Sequence, residues 1–450
     1  MIDDDSFDTD NDQFSHEELD IVQAPNRSDG FHRRENRRLR NSAPFRLGVL
    51  FTQAFQRPWR ILFLPFTIPY LLFCIGMERL GKRALPFESR EQEIEDQSPR
   101  DCIVLFPTNG VGFGHFTRMY ALAKRWKKHS PSTEVVFFTT MPTLHLLYNE
   151  GFPTYHLAGR KKHKDMSSSE WNAMVEEQLS LVFAQHRPSM FMFDGAYPYR
   201  GMLNAVRGLK SMKKVWMRRG MFKKGSNIPV DSIEHFDLIV RPEDSIPTQS
   251  SEIHHTVPTI TVSPIVLLDE DELMSREDAR KRLGLPLDGK VIYVQLGAGR
   301  INDINSEIRL TVEALLAQEK VAVVLGESML GNRLAVDLPG VVLLRDYPNS
   351  VYFNAFDACV QAGGYNSYHE VRKFGLPTVF YPNLSTGMDD QLARCLQAEE
   401  EGWGHVVENR TKSNILDAMK HLIQQPRRSI ADEMNGATEL QAHLSSQVMP

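Results

Sequence analysis

From Pro99 onward the chain alternates short apolar runs with longer amphipathic stretches, a rhythm that few folds accommodate. Apolar runs of this length read as strands buried on both faces, and the stretches between them read as the helices that cover those faces. The first series is Cys102–Phe106, Glu134–Phe138, Met190–Phe193, Lys214–Met217 and Phe236–Val240. A Pro-bearing stretch from Val257 to Leu268 and a charged helix over Asp271–Leu283 lead to the second: Val291–Val294, Val321–Leu325, Val341–Leu344, Ala358–Gln361 and Thr378–Tyr381. The two halves share size and rhythm but no sequence repeat. The expected fold class is α/β, with two Rossmann-like domains facing across a cleft. Ligands of open parallel sheets bind beyond the carboxyl ends of the strands, so chemistry is sought there.

The 450 residues exceed one ordinary core. An apolar fraction of 42% and a charged fraction of 24% are those of a globular protein, and a net charge of -5 gives no reason to expect nucleic acid. Cys74, Cys102, Cys359 and Cys395 are scattered without metal-ligand spacing, which fits buried thiols in a reducing compartment and no metal. The acid-rich start is unlike a secretory signal. Residues 1–42 read as a disordered tail, an acidic block followed by Arg33, Arg34, Arg37, Arg38 and Arg40. Residues 43–87 contain the uncharged run Ile61–Met77, interrupted by Pro65 and Pro69 and flanked by Arg57, Arg60, Arg79, Lys82 and Arg83. Cations on both flanks, with Trp59 and Tyr70 as amphipathic anchors, fit a segment that dips into one leaflet; a soluble hairpin packed on the main body is the alternative. The remaining domains are expected at 99–265, 266–425 and a helical tail at 426–450.

Three strand-to-helix turns carry candidate chemistry. In Pro107–Thr117, Gly110, Gly112 and Gly114 permit a tight turn and close approach of a ligand to a helix N-terminus. The following strand ends without the acidic residue that a dinucleotide site needs. The turn sets His115 at the cleft mouth, as a general base or as a helix-capping, pocket-lining residue. Asp194, ending a strand, is the second candidate base or the residue that orients His115. In Val294–Asn302, backbone amides at Gly297 and Gly299, with Arg300, are placed to hold a diphosphate; an ordinary turn is the competing reading. In Gln361–Glu370, Gly363 and Gly364 bring backbone amides to the cleft, Asn366 and Ser367 cap a helix, and Glu370 lies one turn later, suited to both hydroxyls of a ribose. Asp390 and Gln391 follow by a loop, in reach of sugar hydroxyls. Arg160–Lys164, and Arg218 and Arg219 with Lys223 and Lys224, are basic clusters that read either as solvated faces or as a receiver for an anionic head group.

The set Gly110-x-Gly-x-Gly-His115, Gly363-Gly-x-Asn-Ser-x-x-Glu370, Gly375-Leu-Pro377 and Asp390-Gln391 resembles the GT-B glycosyltransferases, and within them family 28, the MurG-like group. The resemblance runs from about Cys102 to the C-terminus. It implies a metal-independent, inverting hexosyltransferase without cofactor, using a UDP- or other NDP-sugar. The donor would sit in the C-terminal domain, with Glu370 on the ribose and Asp390 and Gln391 near the sugar. The acceptor, lipid-linked or a glycan of the cell envelope, would sit in the N-terminal domain, with His115 at the reacting centre. The last helix would cross back to the N-terminal domain. The expected location is the cytoplasmic side of a membrane, peripheral or monotopic. Two departures stand out: Phe113 occupies the glycine turn, and the loop Gln295–Gly299 lacks the family's usual serine. A nucleotide-sugar epimerase on the same fold and a non-catalytic binding protein are the rivals. The epimerase reading lacks an arginine-bearing loop after the first strand.

Overall fold

A computed structural model describes residues 39–80, 82–83, 98–108, 112–218, 230–247, 256–297, 305–327, 339–384, 389–430 and 432–448. The principal elements in chain order are α1 (Ala43–Gln56), α2 (Leu64–Arg79), β1 (Arg100–Pro107), α3 (Gly114–His129), β2 (Glu134–Thr139), β3 (Thr154–His156), α4 (Ser168–His186), β4 (Pro188–Asp194), α5 (Arg200–Val206), β5 (Lys213–Met217), β6 (Leu238–Pro242) and β7 (Thr259–Val262). The second half continues with α6 (Arg276–Arg282), β8 (Lys290–Gln295), α7 (Asn305–Leu316), β9 (Val321–Gly326), β10 (Val341–Leu344), β11 (Ala358–Gln361), α8 (Tyr365–Lys373), β12 (Thr378–Phe380), α9 (Gln391–Glu400), β13 (Gly404–Val406), α10 (Lys412–Gln424) and α11 (Gly436–Val448). Every strand expected from the sequence is present. The short β3, β7 and β13 escaped because none carries a continuous apolar run: they read Thr-Tyr-His, Thr-Ile-Thr-Val and Gly-His-Val.

The chain divides into two compact units. The first comprises the described residues up to Arg100 together with Asp165–Arg187 and Tyr199–Ser211. In it α1 begins at Ser42, whose Oγ accepts from Phe45 N, and a 3-10 turn (Pro58–Phe63) leads into α2. Pro65 lies at the start of α2, where its missing N–H leaves no helical bond unmade, and Pro69 alone lies inside the helix. Arg46 Nη1 meets Glu78 Oε2 at 2.6 Å and ties the start of α1 to the end of α2. Also in this unit, a capping box between Ser167 and Glu170 starts α4. α4 holds α5 through Asn172 Oδ1, which accepts from Gly201 N (2.8 Å), and through Trp171 edge-on to Tyr199 at 4.9 Å.

The second unit contains both sheets. The first sheet runs β3-β2-β1-β4-β5-β6-β7 and the second β10-β9-β8-β11-β12-β13. Both are parallel throughout. The period-two alternation of strand side chains divides the core. Val291 and Tyr293 of β8 join an apolar cluster that continues from the first sheet through Ile103 and Leu105. Ile292 and Val294 face the other way, into a cluster closed by Ile308 and Val312 of α7 and Ile415 and Met419 of α10. The charged stretch expected as one helix is broken at Ser275, which caps α6 by accepting from Asp278 N. Helix α11 crosses back to the first sheet's helices: Gln441 Nε2 donates to Ser130 Oγ at 3.1 Å and Ser263 N to Glu439 Oε2 at 2.8 Å, with Leu440 and Leu444 buried.

Candidate active site

At the end of β4 the chain turns at Gly195, where a side chain would strike Thr108 and the ring of Phe193. This turn leaves the Asp194 carboxylate at the strand's carboxyl end with a side-chain exposure of 1%. Helix α3 starts at Gly114 with no side-chain cap, so its second residue, His115, stands on a turn with free amides. His115 Nδ1 lies 2.6 Å from Asp194 Oδ1, and the imidazole keeps 25% exposure. One turn along, Arg118 donates from Nε to Asp194 Oδ2 (2.9 Å) and from Nη2 to Oδ1 (2.8 Å). Burial alone would raise the Asp194 carboxyl, but the Arg118 guanidinium and then His115 outweigh it and hold the pKa below the ordinary value. An ionised carboxylate can only accept, so the 2.6 Å contact calls for a proton on Nδ1, although Arg118 Nη2 also lies 2.9 Å from that nitrogen; in this tautomer Nε2 is the basic nitrogen. Of the two candidate bases, Asp194 is enclosed and contacted by Arg118 and His115, whereas His115 keeps an exposed edge.

At the start of α8, Gly364 occupies the N-cap, and among the described residues no side chain caps the helix. The expectation that Asn366 and Ser367 would cap it is corrected: they fall inside the helix. Asn366 instead donates from Nδ2 to Gly114 O at 3.2 Å, which joins the start of α8 to the residue before His115. Its Oδ1 is buried without a partner. Glu370, one turn farther along α8, accepts from Ser350 Oγ at 3.1 Å. The residue is half-buried, and protein crowds the carboxylate closely enough that desolvation pushes its pKa up to about 7, against the Ser350 hydrogen bond. A carboxylate held this way is short of donors, and the vicinal hydroxyls of a ribose would supply two.

The glycines have different roles. A side chain at Gly363 would strike Cys395 Sγ and crowd Gln391, so this glycine serves the packing of α9 against the loop. A side chain at Gly364, Gly112 or Gly297 (φ +96°) would meet open space, and one at Gly114 would come only to 3.9 Å from Arg118 Nη1. Asp390 is the N-cap of α9 and accepts from Ala393 N at 3.1 Å, and Gln391 Oε1 accepts from Asn383 N at 3.0 Å. The structure therefore commits one oxygen of each to the local backbone, a constraint on the sugar-contact reading. Gly110, Gly299, Arg300, Arg219, Lys223 and Lys224 lie outside the described residues. Arg160 to Lys162 and Lys164 are exposed, whereas Arg218 is buried over the Trp216 ring and is no part of a solvated basic face.

Several residues that bind the two sheets together were not singled out in the sequence. Arg394 of α9, fully buried, donates to Asp244 (2.7 and 2.8 Å), to Asp389 (2.7 Å) and to Gly363 O (2.7 Å). Burial works against ionisation of Asp244, but the His369 imidazole, 3.4 Å away, and the Arg394 guanidinium hold it well below the usual carboxylate range. The Tyr365 ring lies between the guanidinium carbons of Arg118 (5.8 Å) and Arg394 (5.7 Å), and its hydroxyl donates to Glu243 O. Tyr347 stacks on Phe113 at 4.8 Å and shares a 2.9 Å hydrogen bond with Thr117. Phe113, the departure in the glycine turn, is thus a partner of Tyr347. Arg118 could have been found from its spacing three residues after His115; Asp244 and Arg394 are 150 residues apart, and no local pattern relates them.

No protein-family model matches the chain, and no curated protein does. Solved structures do. A glycotransferase of kitacinnamycin matches at 14% identity over 77% of this chain and 99% of its own, with a TM-score of 0.52. An S. aureus MnaA–UDP co-structure matches at 14% identity over 77% and 96%, with a TM-score of 0.52. The spinosyn forosaminyltransferase SpnP matches at 12% identity over 77% and 98%, with a TM-score of 0.51. Likeness at this level of identity fixes the fold and leaves the family open: the chain has the GT-B glycosyltransferase fold.

Proposed function

We propose that this protein is an inverting, metal-independent glycosyltransferase that moves a sugar from a nucleoside diphosphate sugar to an acceptor hydroxyl. The observation that carries the reading is the ordered contact His115–Asp194–Arg118 tied through Gly114 and Asn366 to the helix that bears Glu370. His115 Nε2 takes the proton of the acceptor hydroxyl as its oxygen bonds to the anomeric carbon. The bond from that carbon to the diphosphate breaks on the opposite face, and its electron pair leaves with the diphosphate, so the configuration inverts. Asp194 holds the imidazole in the required tautomer and faces the charge that forms on it. Free amides at the start of α8 meet the departing charge, and Glu370 accepts from the ribose. UDP is the first nucleotide to test, because MnaA, which shares the fold, is seen with UDP. The acceptor is proposed to be lipid-linked or a glycan, with the N-terminal segment at a membrane.

The test is calorimetric titration with UDP-, TDP-, GDP- and CDP-sugars, followed by transfer assays on wild type and His115→Ala. Donor binding by both, with transfer by wild type alone, is the expected result. Undiminished transfer by the variant would remove His115 from the base role. Isomerisation of a UDP-sugar without any acceptor would favour the epimerase reading, which shares the donor site.

A further inference from the structure

Residues 39–77 contain no Asp or Glu, and their formal charges are Arg40, Arg46, Arg57 and Arg60. The segment Pro58–Glu78 is long and apolar enough to cross a membrane, and 11% of its most apolar window is buried within the protein. Composition therefore permits a crossing, but the arrangement of the segment opposes one. The ion pair between Arg46 and Glu78 brings the start of α1 beside the end of α2, with side-chain exposures of 12% and 3%. The elbow between the helices carries Arg57 and Arg60. If α1 and α2 entered a bilayer elbow first, helices of about 15 residues would carry those guanidiniums roughly 20 Å into a hydrocarbon core about 30 Å thick. Charges at that depth are strongly disfavoured. Laid flat, the same hairpin keeps its arginines among the headgroups.

The apolar surface suits the flat arrangement. Leu62 (76%), Phe66 (76%), Tyr70 (64%) and Phe73 (64%) recur at helical spacing and form one exposed stripe, extended at the elbow by Trp59 and Phe63. Arg60 Nη1 reaches Gln53 Oε1, and its guanidinium covers the Trp59 ring, which gives the elbow a cationic edge beside an aromatic one. Trp and Tyr favour the headgroup level, and the net cationic charge of the hairpin, with Arg57 and Arg60 at its elbow and Glu78 paired to Arg46, complements an anionic surface. We infer that the α1–α2 hairpin is a monotopic anchor lying in one leaflet of an anionic bilayer, with both its ends on the same side. This inference stands apart from the catalytic reading, and its failure leaves the donor site untouched.

The full-length chain is added to preformed phosphatidylcholine vesicles with and without phosphatidylglycerol, and bound protein is measured by flotation. Wild type should float with the mixed vesicles, and Phe66→Glu/Phe73→Glu should lose at least tenfold in affinity while UDP binding is retained. Arg57→Gln/Arg60→Gln should remove the preference for phosphatidylglycerol. For topology, Gln56→Cys and Lys82→Cys are labelled separately from outside with an impermeant maleimide; the native cysteines are buried. Labelling of both sites in vesicle-bound protein is expected. Protection of one site until detergent is added would mean a crossing and would overturn the inference. So would an absence of flotation, including one in which sedimentation shows the exposed stripe covered by a second copy of the chain.

Discussion

Asp194 serves two partners at once, the Arg118 guanidinium and the His115 imidazole, and each substitution around it should report a different loss. His115→Ala should lower kcat by about 10²–10⁴ with UDP affinity unchanged, the effect of removing one positioned base. Asp194→Asn keeps the shape but leaves the buried Arg118 without a counter-charge, and urea unfolding should show a loss of about 3–5 kcal/mol. The double variant Asp194→Asn/Arg118→Met should recover part of that loss. Glu370 responds differently. Its pKa rises from 4.5 in the unfolded chain to about 7 in the fold. Between those values the native state holds a proton that the unfolded state has lost, so its contribution to stability is complete below 4.5 and falls as pH rises to 7. Glu370→Gln should therefore stabilise the unliganded protein at pH 8, by on the order of 1–2 kcal/mol, and weaken UDP binding at least tenfold. Tighter UDP binding by the variant would refute the ribose role.

Among the elements, α8 and α9 carry the proposed donor side, and both are held from the first sheet. Asp244 follows β6, Arg394 lies in α9, and their ion pair also fixes Gly363 O at the start of the donor loop. Asp244→Asn leaves Arg394 one carboxylate, Asp389, so the expected loss is about 1–3 kcal/mol. Arg394→Met strips two carboxylates and one carbonyl of a donor, and should cost more and raise the KM for donor with it. Equal losses by denaturant titration would show that Asp244 alone sustains the arginine and that Asp389 adds nothing. The strand-bearing elements were legible from the sequence because burial on both faces writes continuous apolar runs. The caps were less so: Asn366 and Ser367 are good capping residues in general, but Gly364 occupies the N-cap and Asn366 binds Gly114 O instead.

For the molecule as a whole, stability should vary with pH in two opposed ways. Asp194, Asp244 and Asp269 are held low by their cations and hydrogen bonds, so their contribution is present above the ordinary Asp pKa near 3.8 and is lost as pH falls through their lower native values. Glu370 acts in the other direction over 4.5 to 7. Thermal melts across pH 3–8 should show loss at the acid end. They should also show a shallow decline toward neutrality that disappears in Glu370→Gln.

The sequence by itself determined the α/β class, the two series of strands, and the placing of His115, Asp194 and Glu370 at strand ends or on the first helical turns. Those features follow from periodicities of two and 3.6 residues, which a local stretch of chain fully expresses. Only the tertiary structure decided that His115 meets Asp194 across 79 residues, that Asp244 meets Arg394 across 150, that α11 returns to Ser130, and that Arg46 closes on Glu78. Each of these depends on which strand ends the crossovers bring together. A lone Arg in an apolar stretch looks the same in sequence whether it reaches water or a carboxylate far along the chain; in the fold, burial forces the second.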